Sequence, residues 1–255
     1  MTDSTRVALI TGGGRGIGAA IAIALAGDGM DVAINYRRDE ESARQTALLV
    51  EAVGRRAELF PASIDDYDAA VQMTDDVLRE FGHVDVFVHS AGIASRGQNV
   101  VDTDPAEIER VWRTHAFSAY AIAKHVLPSM RERPRGDIVF ISSSASKYMA
   151  ANSAPYNIAK ASMEALAHTL AKEERKHGIH VNVVAPGLVD TEMGRRLAKA
   201  AMGAGDDIHS IDHRMPFGHV CSPEEVADVV AWVVSDGARY VNDQWIAVDG
   251  GTFQG

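Results

Sequence analysis

An alternation of short and long segments limits this chain most. Seven short runs rich in β-branched residues recur: 7–10 (VALI), 31–35 (DVAIN), 57–61 (AELFP), 84–89 (VDVFVH), 137–142 (DIVFIS), 180–185 (HVNVVA) and 245–249 (WIAVD). Several are apolar at successive positions, the pattern of strands covered on both faces in a parallel sheet. The segments between them carry helix punctuation. Residues 39–53 and 67–81 run up to Gly54 and Gly82, glycines placed to end a helix. DPAE (Asp104 to Glu107) and SPEE (Ser222 to Glu225) both read as cap, first-turn proline and third-position glutamate. Val226, Val229, Val230 and Val233 then form a core-facing stripe. With right-handed crossovers the expectation is an α/β fold: a doubly wound, seven-stranded parallel sheet with helices on both faces and a ligand crevice beyond the strand C-termini.

Length fits one domain spanning 1–255. Residues 194–220 are the exception, a strandless stretch rich in Gly and Met that reads as a substrate lid. Acidic residues outnumber basic ones 35 to 25, which argues against nucleic acid or an anionic membrane as partner. The densest basic run, Arg131 to Gly136, reads as a solvated helix end. The single cysteine, Cys221, excludes an intrachain disulfide and fits a reducing compartment. Nothing around it supports a nucleophile. The N-terminus shows no basic leader or cleavage site, and the longest helical apolar stretch, IGAAIAIALAG, has 11 residues, about half a membrane span. The expected location is cytoplasmic, without a membrane partner. His209, His213 and His219 lack a supporting framework of acids and histidines, so they read as surface residues and no metal is expected.

The first strand runs into TGGGRGIG, Thr11 to Gly18, and then a helix. Such a turn lets backbone N–H groups approach a pyrophosphate at a positive helix N-terminus. The second strand ends in NYRR, Asn35 to Arg38, with no carboxylate to accept ribose hydroxyls. Arg37 and Arg38, with Arg15 of the glycine turn, suit a 2′-phosphate, so NADP(H) is expected over NAD(H). The alternative is a solvated arginine pair opening the next helix.

Two pentapeptides, YAIAK (Tyr120 to Lys124) and YNIAK (Tyr156 to Lys160), each put a phenol and an ammonium one helical turn apart. A phenol titrates near ~10, and a cation beside it would lower that value. DIVFISSS delivers Ser142 to Ser144 to the crevice just before Tyr156. Tyr120 lies several turns along the helix begun near Asp104, with no hydroxyl-bearing strand leading into it. The second pair is the candidate.

Jointly, these residues resemble the short-chain dehydrogenase/reductase family over essentially the whole chain. The resemblance rests on Thr11, Gly12, Gly16 and Gly18, on Ser143 thirteen residues before Tyr156, on Lys160, on PGLVDT (Pro186, Gly187, Val189, Thr191) and on VDGG near the end. It implies a Rossmann-type fold, a nicotinamide cofactor and hydride transfer at a carbonyl or alcohol carbon. Tyr156 would be the proton donor or acceptor, Lys160 would stabilise its phenolate and bind the ribose, and Ser143 would donate to the developing alkoxide. Gly12, Arg15, Gly16, Ile17, Gly18, Ala91, Gly92, Pro186, Gly187, Val189 and Thr191 would line the cofactor. Members commonly assemble as homotetramers or homodimers through helices near 104–130 and 153–177. The layout is similar to 3-oxoacyl-[acyl-carrier-protein] reductases, which suggests a thioester substrate beside Met193, Met202, Met215 and Phe217. A sugar, steroid or other alcohol dehydrogenase, or a catalytically weak NADP(H)-sensing protein, are the alternatives.

Three positions depart from the family pattern. HSAG (His89 to Gly92) stands for the usual NNAG, which removes an asparagine that ties neighbouring strands. Ser63, followed by Ile64, stands where an aspartate usually meets adenine. His115 stands for the fourth catalytic residue, an asparagine that helps hold a water chain. His115 either serves that relay, titrating near neutrality, or is a helix residue satisfied by backbone.

Overall fold

The computed structural model describes residues 5–252; the N-terminal reading of residues 1–4 lies outside them. Seven parallel strands form one sheet: β1 Val7–Thr11, β2 Asp31–Tyr36, β3 Ala57–Pro61, β4 Val86–His89, β5 Gly136–Ile141, β6 Ile179–Pro186 and β7 Trp245–Val248. Their order, β3-β2-β1-β4-β5-β6-β7, makes the crevice open where β1 and β4 diverge in sequence order. Alternate strand residues feed two cores. Ala8, Ile10, Val32, Ile34, Val86 and Val88 face one layer, and Leu9, Ala33 and Phe87 face the other. The expected doubly wound α/β architecture is what the chain adopts.

Helices α1 (Gly16–Gly27), α2 (Glu40–Ala52), α3 (Tyr67–Phe81), α4 (Pro105–Trp112), α5 (Ser118–Met130), α6 (Ala145–Tyr148), α7 (Ala154–Glu174), α8 (Glu192–Leu197) and α9 (Pro223–Val233) surround the sheet. The capping signals act as read, with one exception. At α9 both halves of the capping box form, Glu225 N–H to Ser222 Oγ at 3.2 Å and Ser222 N–H to Glu225 Oε2 at 2.7 Å. At α4 Asp104 caps, but Glu107 turns inward. There it is buried, accepts the Arg96 N–H at 3.1 Å and grips Arg110, which anchors the loop after β4. The single helix expected over 104–130 is broken by a π turn, Arg113–Phe117, which holds His115. Such turns re-aim side chains and recur at functional sites.

The 194–220 stretch is folded. Ala198, Ala204, Ile208, Ile211 and Val220 form a small core of their own, joined by Leu188, Met202 and Met215. Met202 and Met215 therefore serve that core, and only Met193 and Phe217 of the four expected apolar residues stay exposed. Among the described residues no helix is long and apolar enough to cross a membrane.

Candidate active site

The glycine turn is a cradle without room for side chains. A Cβ at Gly18 would sit 2.3 Å from the Gly12 carbonyl oxygen, and one at Gly12, whose φ is +63°, would sit 2.9 Å from Ala91 Cα. Gly16 faces Thr191 across the crevice, where its Cβ would meet Thr191 Cγ2 at 3.2 Å. Ile17 packs against the core behind the turn. Asn35, absent from the sequence expectations, steadies this cradle: its carbonyl accepts the Gly13 N–H at 2.9 Å and its amide donates to Phe60 O at 3.0 Å. On the far wall, the Gly187 N–H donates to Val248 O at 3.0 Å, Val189 is buried beside Cys221, and Thr191 Oγ1 caps α8 by accepting the Gly194 N–H at 3.0 Å.

Arg37 and Arg38 are exposed at the end of β2. Arg15 already has a partner: its guanidinium is 2.5 Å from Glu192 Oε2, an ion pair that bridges the glycine turn and α8. No local signal in the sequence pointed to Glu192, since its partner lies 177 residues away. The Ser63 hydroxyl is committed to Asp65 at 2.6 Å, which leaves backbone groups there for an adenine, and Ile64 is buried.

His89 restores the tie that the missing asparagine would provide. Thr11 Oγ1, at the end of β1, accepts the Ala91 N–H at 3.2 Å and donates to His89 Nδ1 at 3.0 Å. His89 Nε2 faces Ser118 Oγ of α5 at 3.4 Å. Burial, aided by the charge of Lys160, pushes the His89 pKa down to about 3.

His115 is buried with its ring set against Gly92; a Cβ there would lie 2.6 Å from its Cε1. Its Nε2 donates to Ile93 O at 2.9 Å, and its ring meets Tyr156 edge-on, centroids 5.5 Å apart. Nδ1 is buried without a hydrogen-bond partner. Burial and the Lys160 charge drive its pKa well below the ordinary histidine value, so it stays neutral; of the two readings the sequence left open, the titrating one is removed.

Both buried neutral histidines set a stability window. Their folded pKa values lie below the unfolded one, so the unfolded state binds more protons at acid pH. Above about pH 6.5 the rings cost nothing, and below it stability falls as the unfolded state takes up protons, by about 1.4 kcal/mol per unit for His89 down to about pH 3, with His115 acting in the same direction. His89→Asn, which keeps a donor and an acceptor but cannot titrate, is expected to flatten the fall of the urea midpoint between pH 7 and pH 5. Parallel pH slopes for parent and variant would refute this.

Ser143 stands just beyond β5, where its Oγ accepts the Ala145 N–H at 3.2 Å and lies near enough to the Tyr156 phenol to act on its titration. Lys160, buried one turn after Tyr156, donates from Nζ to Ile141 O at 2.7 Å, and Nζ lies 5.6 Å from the Tyr156 ring centre. Burial drives the lysine pKa down to about 7 while Glu164 opposes the shift. Burial also raises the Tyr156 pKa, partly offset by the neighbouring Ser143 hydroxyl. The protein alone therefore keeps this phenol protonated, where the Tyr–Lys spacing suggested a more acidic one. Tyr120 and Lys124 are exposed, and Tyr120 only stacks on Phe117.

Cys221 is half-buried with its pKa pushed up to about 12 by burial, which leaves it a thiol. His209 pairs with Asp190 and Asp212, and His219 with Glu225.

A family model described as enoyl-(acyl carrier protein) reductase matches residues 12–252. A versicolorin reductase of Emericella nidulans is 33% identical over 98% of this chain and 96% of its own length. A cis-4-hydroxycyclohexanecarboxylate dehydrogenase of Sinomonas cyclohexanicum is 36% identical over 96% of each chain. The crystal structure of a short chain dehydrogenase from Burkholderia cenocepacia in complex with NADP superposes with a TM-score of 0.86, at 32% identity, over 96% of this chain and 97% of that one.

Proposed function

The chain belongs to the short-chain dehydrogenase/reductase family, and from that premise we propose that it is an NADP(H)-dependent oxidoreductase moving hydride between nicotinamide and a carbonyl or secondary-alcohol carbon. One observation carries the reading: the Ser143 hydroxyl lies close enough to the Tyr156 phenol to favour its ionised form, while the Lys160 Nζ is held buried 5.6 Å from the phenol ring centre.

The cofactor fits the residues present. Gly12, Gly16 and Gly18 leave bare backbone for a diphosphate, and exposed Arg37 and Arg38 offer cations for a 2′-phosphate. Ile17, Ser63, Ile64, Ala91 and Gly92 would line one wall, and Pro186, Gly187, Val189 and Thr191 the other. When bound, the cofactor supplies or accepts the hydride. The chain must do the rest. Ser143 donates to the carbonyl oxygen as it becomes an alkoxide, Tyr156 gives it a proton, and Lys160 holds positive charge beside the phenolate left behind. Burial keeps Tyr156 protonated, the form in which it can donate to an alkoxide. His115, neutral and buried, packs edge-on against the Tyr156 ring and so helps to fix the orientation of the phenol.

The substrate is read as apolar. Tyr148 and Met149, in the loop joining Ser143 to Tyr156, are exposed, as are Met193 and Leu197 on α8. Exposed Trp112, Tyr120 and Ile158 on α4, α5 and α7 support assembly of a homodimer or homotetramer through those helices. The test follows NADPH absorbance with β-ketoacyl thioesters, cyclic ketones and quinones. NADPH oxidation with at least one of these is expected, and inertness toward all of them overturns the reading.

A further inference from the structure

Glu164 is a buried carboxylate outside the set of residues described so far. It lies on α7, four residues after Lys160 and eight after Tyr156, so all three side chains share one helix face. Its Oε1 accepts the Ser142 hydroxyl at 2.6 Å and the Trp245 indole N–H of β7 at 3.0 Å. The Ser146 hydroxyl lies 2.5 Å from the same oxygen and 2.9 Å from the Ser143 carbonyl; the charged acceptor takes its proton. Lys147 Nζ stands 3.5 Å from Oε2 and 5.1 Å from the Trp245 ring centre. Ser142 and Ser146 flank Ser143.

We propose that Glu164 is the positioning residue of this site: its carboxylate clamps the serine segment, from both sides of Ser143, onto the helix that carries Tyr156 and Lys160. The inference rests on the roles given to those three residues above. A burial of this kind is stabilising only if the charge is paired and hydrogen-bonded, and here one oxygen takes three donors. A neutral hydrogen-bonding core would tie the segment equally well, so the charge itself calls for a reason. Lys160 supplies it. Burial pushes the lysine pKa down, and with Glu164 opposing that shift it stands at about 7. The titratable or charged groups facing Glu164 and Lys160 among the described residues are Tyr156 on α7, Lys147 from α6, His89 from β4 and His115 from the π turn. Both histidines are neutral at working pH. Glu164 is thus the anion that favours the ammonium form of Lys160.

The test uses Glu164→Gln, which keeps shape and removes charge, and Glu164→Asp, which keeps charge and withdraws it from the serines. NADPH oxidation is followed with the fastest substrate of the panel above. For Glu164→Gln, kcat is expected to fall about tenfold at pH 8 and to recover toward the parent at pH 6, as a lysine one unit weaker regains its proton. For Glu164→Asp the loss is expected at every pH, in kcat rather than KM, with NADPH affinity unchanged. An NMR titration of the Lys160 side chain, assigned by Lys160→Met, reads the charge effect without turnover and should move to lower pH in Glu164→Gln. A Glu164→Gln profile superimposable on the parent with an unmoved lysine titration overturns the proposal. So does a pH-independent loss that tracks a lower melting temperature in both variants. If instead Tyr156→Phe retains turnover, the underlying site reading fails, which is a separate result.

Discussion

Tyr156→Phe is expected to lower kcat by about 10²–10⁴-fold, the range a positioned general acid contributes, while NADPH affinity stays within a factor of about two or three. The large effect follows from geometry. The phenol is the one acidic O–H that stands between Ser143 and the Lys160 ammonium, and His115 packs edge-on against its ring, so the phenylalanine ring fills the same space. Only the oxygen is lost. Ser143 cannot substitute, because its hydroxyl lacks a neighbouring cation to support the negative charge. Steady-state kinetics together with a fluorescence titration of NADPH separates the two quantities. Retained turnover would remove the proton-donor role, and a parallel loss of NADPH binding would mean that the ring, and not its hydroxyl, matters.

The second large effect concerns the cofactor. Hydrogen bonds to a charged group contribute about 1.5–3 kcal/mol. Arg37→Ala is therefore expected to cut kcat/KM for NADPH by roughly 10–100-fold and to leave the NADH value within about threefold. Arg15→Ala should cost less. Arg15 must exchange an existing ion pair with Glu192 for the phosphate, so its net gain is a difference between two similar contacts, whereas Arg37 is exposed. Equal turnover of NADH and NADPH by the parent, with a ratio untouched by Arg37→Ala, would show that the arginines at the end of β2 are only a solvated pair.

Much of the frame was readable in the chain because the signals are local. Successive apolar residues in VALI and DIVFIS report burial on both faces, and right-handed crossovers limit how such strands connect; the order β3-β2-β1-β4-β5-β6-β7 came only with the structure. YNIAK was separated from YAIAK by what precedes each, and the exposure of Tyr120 and Lys124 agrees with that choice. The misreadings came where a residue's partner is distant. Glu107 looked like half of a capping box, yet an inward path to Arg96 and Arg110 was available and won. His115 looked titratable because an isolated imidazole is; burial beside Lys160 removes that property. Met202 and Met215 looked like pocket lining, and instead fill the core of their own segment.

By itself, then, the order of residues determined the strand and helix segments, the glycine turn and the spacing of Tyr156 and Lys160. Each depends on neighbours within a few positions, where backbone geometry leaves few choices. Tertiary structure alone decided the charges inside the crevice. His115 meets Ile93 across 22 residues, Ser142 meets Glu164 across 22, and Trp245 meets Glu164 across 81. Whether such groups are ionised depends on which water has been removed and which opposite charge stands near, and no local pattern encodes either.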